Sequence, residues 1–418
     1  MTRKFKIKLI KAREILDSRG ELTLEVELKT DKGIFFASVP SGVSTGKHEA
    51  KELRDEDGKG VKKAISNIEK IIAPAIKKEN LIDQKRIDQI LIDLDATKDK
   101  SFLGANAILA VSMAVCRAGA ADKNLSLYQY ISEIYTGQTC VNFTLPKPSF
   151  NMIEGGKHAE NNLAFQEFMV APQKNLFKEN LEIGIKIYKS LKKILQEKFN
   201  KKNIGLSQEG AFTAGIGKIT DAFDLILKAA KNIGYKNDIK FAIDAAASEF
   251  YKNGAYKVDE KEFPKKELIR FYKNLTEKYQ TILSIEDPFF EKDFLAFSEL
   301  KKIIKDKVLI FGDDLTVSNK KRIKLAKKKN ACSGLILKPN QIGTVTETIE
   351  AAKLAKSYNW KVMVANRAGE TEDDFIADLA VGIGADFIKS GAPFPKERMA
   401  KYYRLLKIEK ELNLIGNK

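Results

Sequence analysis

Cysteine, histidine and tryptophan are scarce in this chain of 418 residues, at three, two and one copies. Cys116, Cys140 and Cys332 lie far apart and form neither a CxxC pair nor a zinc-ligand spacing. That excludes a disulfide framework and marks them as reduced core thiols of a cytoplasmic protein. Long apolar runs are missing too. The most apolar stretch, AILAVSMAVC from Ala107 to Cys116, falls well short of the roughly 20 residues of a bilayer-spanning helix and reads as a buried helix, so no membrane insertion is expected. The opening MTRKFKIKLIKAREILDSRG is charged throughout and lacks the apolar core of a secretory leader. Arginine is the minority cation, 11 of 73 basic residues, although the net charge is +17. Dispersed lysines, as in KKILQEKFNKKN, describe a solvated face, whereas arginine is the better fork for phosphates and bases. With no RNP, KH, zinc-finger or coiled-coil pattern, the charge supports at most a general attraction for anionic substrates or RNA.

What is present changes character along the chain. Over residues 1–135, KFKIKLIKA, LTLEVELKT and GIFFASV alternate apolar and polar residues between SRGE and DKG turns, which predicts an antiparallel meander. Helical patterns follow. In GVKKAISNIEKIIAPAI, the residues Val61, Ala64, Ile65, Ile68, Ile71 and Ile72 fall on one face. The proline-containing TLPKPSFNMIEGG marks a boundary near residue 140. Over residues 140–418, short apolar runs recur every 25 to 40 residues with amphipathic stretches between them, the pattern of βα units on a parallel sheet. Their ends are Asp244, Glu286, Asp313, Lys338, Arg367 and Lys389. The expected fold is therefore α/β, a (β/α)8 barrel preceded by a smaller α+β domain. In such a barrel these six residues share the mouth where chemistry gathers. An open doubly wound sheet is the alternative, but GIGKIT at Gly215 lacks the glycines of a dinucleotide loop.

Three carboxylates at strand ends, Asp244, Glu286 and Asp313, are hard oxygen donors with no histidine or cysteine beside them in sequence, which favours Mg²⁺ over zinc. A single acid after a strand would be read as a helix cap. The set of three gains its meaning from Lys338 and Lys389, which positive surroundings would drive toward the neutral form and so toward base chemistry. Arg367 offers a planar fork for phosphate or carboxylate. Glu167 in FQEFMV and Glu209 in SQEGAF are either acids across the substrate or ordinary solvated glutamates.

The segments AREILDSRG, PSGVSTGKHEA, GANAILAVSMA, NMIEGGKHAENN, FQEFMVAP, DAAASEFY, SIEDP, GDDLTVSN, LKPNQIGTVTET, RAGETEDDFIADLAVG and IKSGAPFPKER resemble the enolase family (phosphopyruvate hydratase) in family order over essentially the whole chain. The resemblance implies a Mg²⁺-dependent hydro-lyase of glycolysis and gluconeogenesis that interconverts 2-phosphoglycerate and phosphoenolpyruvate, with two Mg²⁺ per site and a homo-oligomer, dimer or octamer. By the same resemblance, Asp244, Glu286 and Asp313 hold the first Mg²⁺ and Ser44 helps to hold the second. Lys338 removes the C2 proton, and Glu209, supported by Glu167, assists loss of the C3 hydroxyl. Lys389, His158 and Gln166 contact substrate, and Arg367 binds the phosphate.

Four segments depart from the family pattern. Ala365-Asn366-Arg367-Ala368 replaces a Ser-His-Arg-Ser run, Ser207-Gln208-Glu209-Gly210-Ala211 replaces GDEGG, Glu154 stands where asparagine is usual, and Pro339 follows the base lysine in place of valine. The proton-transfer residues survive, and the changes at Asn366 and Ala368 fall on the phosphate side. Three functions accommodate this: a working but divergent enolase, a related Mg²⁺-dependent dehydratase or epimerase on an acid without phosphate, and a non-catalytic binding protein.

Overall fold

The alternation in LTLEVELKT has its expected outcome. β1 (Leu9–Leu16), β2 (Leu22–Thr30) and β3 (Gly33–Ser38) form an antiparallel meander, with Leu24, Val26 and Leu28 of β2 fully buried on one face. The structure is a computed structural model that describes residues 6–43, 46–80, 83–138, 142–199 and 204–416. Against the sheet lies the helix Ala105–Asp122, whose residues from Ala105 to Cys116 are all buried, as AILAVSMAVC predicts. The predicted face of GVKKAISNIEKIIAPAI is modified. A π-turn at Ile68–Ile72 interrupts the helix, so Val61, Ala64, Ile68 and Ile72 are buried while Ile65 and Ile71 are only half-buried. No helix among the described residues is long and apolar enough to cross a membrane.

The stretch that marks the domain boundary in sequence turns out to contain a core strand. Lys147 to Glu154 forms β4, buried at every residue after the first. Its partner β5 (Glu167–Pro172) runs antiparallel to it, followed by the short hairpin β6 (Gly205–Leu206) and β7 (Phe212–Thr213) and then by β8 (Ile239–Asp244). A small excursion sheet, β9 (Tyr251–Lys252), β10 (Ala255–Val258) and β11 (Lys261–Pro264), precedes five further barrel strands. These are β12 (Ile282–Glu286), β13 (Leu309–Gly312), β14 (Gly334–Leu337), β15 (Lys361–Ala365) and β16 (Phe387–Lys389), all parallel. β16 pairs with β4, which closes an eight-stranded barrel.

The expected all-parallel sheet is thus corrected at β5, which is antiparallel to both β4 and β8. A strand running the other way begins, rather than ends, at the mouth. Glu167, the first residue of β5, therefore lies level with the last residues of its neighbours. In register, Glu154 faces Glu167, Glu167 faces Asp244, and Asp244 faces Glu286. One strand spacing is about 4.8 Å. Four carboxylates accordingly stand in a row across four adjacent strands.

Candidate active site

A row of carboxylates at strand spacing repels itself unless cations are interleaved. Lys389, at the end of β16, supplies one. Its Nζ lies 2.9 Å from Glu286 Oε2, 3.2 Å from Glu167 Oε2 and 3.5 Å from Asp244 Oδ2, all buried. Lys338, directly after β14, is bonded to Asp313, whose second oxygen accepts from Gln341 Nε2 at 2.8 Å. Ser318 Oγ accepts from the Lys338 backbone N–H at 3.0 Å and donates to Gln341 Oε1 at 2.8 Å. To place that hydroxyl, Val317 and Ser318 adopt φ of 42° and 52°. Left-handed backbone is unusual for a β-branched residue, and strain of this kind gathers at functional sites.

These contacts overturn the expectation that the two lysines are driven toward the neutral form. Burial does push Lys389 that way, but Glu167, Glu286 and Asp244 outweigh it and hold the ammonium well above the ordinary lysine range. Lys338 is likewise raised, with Asp313 outweighing burial, and Asp313 is correspondingly lowered. The remaining carboxyls show the converse. Burial, then repulsion from Asp244, raises Glu286 well above its usual value. Burial pushes Glu167 up to about 8 and, with Asp313 adding repulsion, Asp314 to about 8.

The mouth is therefore short of positive charge. Its carboxylates Asp244, Glu286 and Asp313 offer oxygen donors only, a chemistry that fits a hard divalent cation such as Mg²⁺. Asp287, Asp313 and Asp314 also bring oxygens within 4.8 Å of one another, although Asp287 already accepts backbone N–H groups from Asp313 at 3.0 Å and Asp314 at 2.6 Å.

The structure gathers His158, Gln166, Glu167, Glu209, Asp244, Asp313, Lys338, Asn366, Arg367, Ala368 and Lys389 around one pocket, with Glu286 reaching it through Lys389. Ser44 lies outside the described residues. The solvated alternative for Glu167 and Glu209 fails, since both are 4% exposed. Glu209 sits in the β6–β7 hairpin, where Ser207 Oγ accepts from its backbone N–H at 3.2 Å. Gln166 Nε2 donates to Asp244 at 3.4 Å. His158 Nδ1 lies 2.8 Å from Glu154 Oε1, an interaction that outweighs burial and raises the imidazole.

The phosphate-side corner is built differently. Arg367 donates to Glu49 Oε2 at 2.8 Å and to Asn340 Oδ1 at 3.0 Å. Gly42 packs against the same guanidinium, where an added Cβ would come within 2.1 Å of Nη2 and force Arg367 to shift. Asn366 Nδ2 donates to the Arg367 carbonyl at 3.1 Å, and Ala368 carries no hydroxyl. Sequence reasoning missed three parts of this architecture. Glu49 sits in a loop and Asn340 in the single helical turn Pro339–Ile342, both too short for a periodic signal. Arg398 is fully buried and donates to the carbonyls of Arg367 and Ala368, both at 2.6 Å, and of Gln208 at 3.0 Å. It thereby ties the phosphate-side loop to the Glu209 hairpin, yet in sequence it is one more cation in a helix.

Residues 7–131 match the family described as Enolase, N-terminal domain, and residues 142–417 match Enolase, C-terminal TIM barrel domain. Both halves of the architecture and the barrel-mouth charges agree with that match: the chain belongs to the enolase family.

Proposed function

We propose that, within the lyase chemistry of its family, this chain reversibly dehydrates 2-phosphoglycerate to phosphoenolpyruvate. The observation that carries the reading is the placement of Lys338 and Glu209 on one pocket, with β15, β16 and β4 between β14 and the β6–β7 hairpin and with Arg367 alongside. Lys338, whose ammonium Asp313 holds in the cation-free fold, would release that proton once a cation takes up Asp313, and then, positioned by the Ser318 hydroxyl, takes the proton from C2. Glu209 gives a proton to the C3 hydroxyl, which leaves as water, and Glu167 supports that transfer from the adjoining wall. Lys389 answers negative charge on the substrate carboxylate, His158 and Gln166 line the bound acid, and Arg367 offers its fork to the phosphate. Asp244, Glu286 and Asp313 would hold Mg²⁺, which when bound would supply electrostatic stabilisation of the charge that builds on two carboxylate oxygens when the proton leaves. A second Mg²⁺ with Ser44, a cytoplasmic location and a homo-oligomer belong to the same reading, the last testable by sedimentation.

A second reading rests on the phosphate corner. Asn366 spends its amide on the Arg367 carbonyl, Ala368 offers no donor, and Glu49 already neutralises Arg367. Such a corner suits a hydroxy acid without a phosphate, handled by the same proton-transfer residues. Purified protein with 2-phosphoglycerate and Mg²⁺, followed by appearance of the enol product, decides between the two. Turnover above a Lys338→Ala control supports the first, and its absence together with turnover of another hydroxy acid supports the second.

A further inference from the structure

Glu154 has no role in the proposed dehydration, yet it is fully buried at the mouth end of β4, beside two residues that do. The chain leaves β4 at Glu154 and turns through Gly156–His158, which returns the imidazole to the carboxylate four residues earlier. The β6–β7 hairpin brings Glu209 to the same corner, with one donor atom from each of the three residues within 4.8 Å of the others.

Glu154 Oε2, His158 Nε2 and Glu209 Oε2 are each buried without a hydrogen-bond partner. Buried polar atoms are normally satisfied, so three orphans in one corner call for a missing partner. That partner is not supplied by the nearby lysines, and the Ser207 hydroxyl, which bonds the Glu154 carboxyl, answers neither His158 Nε2 nor Glu209 Oε2. Lys389 is engaged by Glu167, Glu286 and Asp244, and Lys157 points to Glu249 at 3.5 Å.

We propose that Glu154, His158 and Glu209 form a cation site distinct from the oxygen-only carboxylates, and that it takes a nitrogen-accepting divalent ion such as Zn²⁺ or Co²⁺ in preference to Mg²⁺. Two carboxylates and one imidazole match the mixed donor sets of zinc sites, whereas Mg²⁺ demands oxygen ligands and keeps its waters. His158 and Glu209 line the pocket while Glu154 does not, so a cation held by the three would sit against the bound acid and would withhold Glu209 from proton transfer. The site rests on the proposed function only for what it faces, since its ligands stand on geometry.

The chain has just two histidines, His48 and His158, which makes the test direct. The full protein, ring-labelled at histidine and held in excess Mg²⁺, is titrated with Zn²⁺ and then with Co²⁺. The expected result is that Zn²⁺ shifts and Co²⁺ broadens the His158 ring signals while those of the exposed His48 stay in place, and that Mg²⁺ alone moves neither. Equilibrium dialysis under the same conditions should give one Zn²⁺ per chain, weakened about 10- to 100-fold or more by Glu154→Asn. A His158 signal indifferent to both ions, or Glu154→Asn binding Zn²⁺ as tightly as the parent, overturns the proposal. If the variant does not fold, the wild-type spectrum decides alone. Neither readout involves turnover, so a negative result here leaves the dehydration standing, and a chain inactive on 2-phosphoglycerate leaves the titration interpretable.

Discussion

The two sides of the pocket solve the same problem, holding charge in a dry place, by opposite means. On the proton-transfer side, carboxylates from neighbouring strands are stacked in register and only partly answered by Lys389 and Lys338. On the phosphate side, a single cation, Arg367, is closed in by Glu49, Asn340 and backbone carbonyls held by Arg398. The first is under electrostatic tension that a cation relieves. The second is already at rest and must be opened by whatever binds there. Departures from the family pattern occur on both sides, but on the proton-transfer side, at Ser207, Gln208, Ala211 and Pro339, they spare the acid, the base and the metal carboxylates. A neutral change at Asn366 or Ala368 leaves a satisfied structure, whereas the loss of one carboxylate or lysine leaves a buried partner uncompensated.

The largest test of the contrast is Lys338→Ala. It removes a general base and is expected to lower kcat by about 10²- to 10⁴-fold with little change in KM, measured by steady-state enol formation. A drop confined to KM would place Lys338 with the binding residues and erase the distinction between the sides.

Next in size is the combined Asn366→His and Ala368→Ser replacement. It restores a hydrogen bond to a charged group, about 1.5–3 kcal/mol, and is expected to tighten phosphate binding by roughly 10- to 150-fold, read as a fall in KM or in product-inhibition constants. No change would mean that the corner is not where the phosphate sits.

The smallest effect sharpens the electrostatics. Glu167 and Asp314 are both at about 8 in the fold, far above the carboxylate value near 4 of an unfolded chain. Below about pH 4 both states hold these protons, and no difference arises. As pH rises toward about 8 the unfolded chain releases them and the folded chain does not, so the metal-free protein should lose stability across that window. Thermal unfolding in chelator should show Tm falling from pH 5 to 8, less steeply in Glu167→Gln and nearly flat once Mg²⁺ is added. The Asn366→His and Ala368→Ser protein should retain the parent slope, and a change in that slope would couple the two sides.

Much of the proton-transfer side was legible in the sequence because each of its residues closes an apolar run: Asp244 after KFAI, Glu286 after ILSI, Lys389 after DFI. The barrel itself was legible from the same recurrence. Its first two strands were not. Proline and polar residues broke the pattern of β4, and the reversal of β5 follows from pairing with strands distant in sequence, which no local periodicity encodes. For the same reason the alignment of Glu154 with Glu167 and Asp244 was invisible until register was known. Glu49 acts across 318 residues and Asn340 and Arg398 across 27 to 190, beyond any local periodicity, so their roles emerge only in three dimensions.

Ser41 pairs with Gly369 as a single β-bridge, its hydroxyl donates to Glu52, and Glu49 in the same N-terminal segment grips Arg367. An added Cβ at Gly369 would lie 2.3 Å from Asp17 Oδ2, so the seam closes tightly against the barrel. Any anion that takes Arg367 from Glu49 therefore competes with the N-terminal domain for its own anchor. Ligand affinity and domain docking are by that route two readings of one equilibrium, and a tight-binding anion should make the two domains melt less as one.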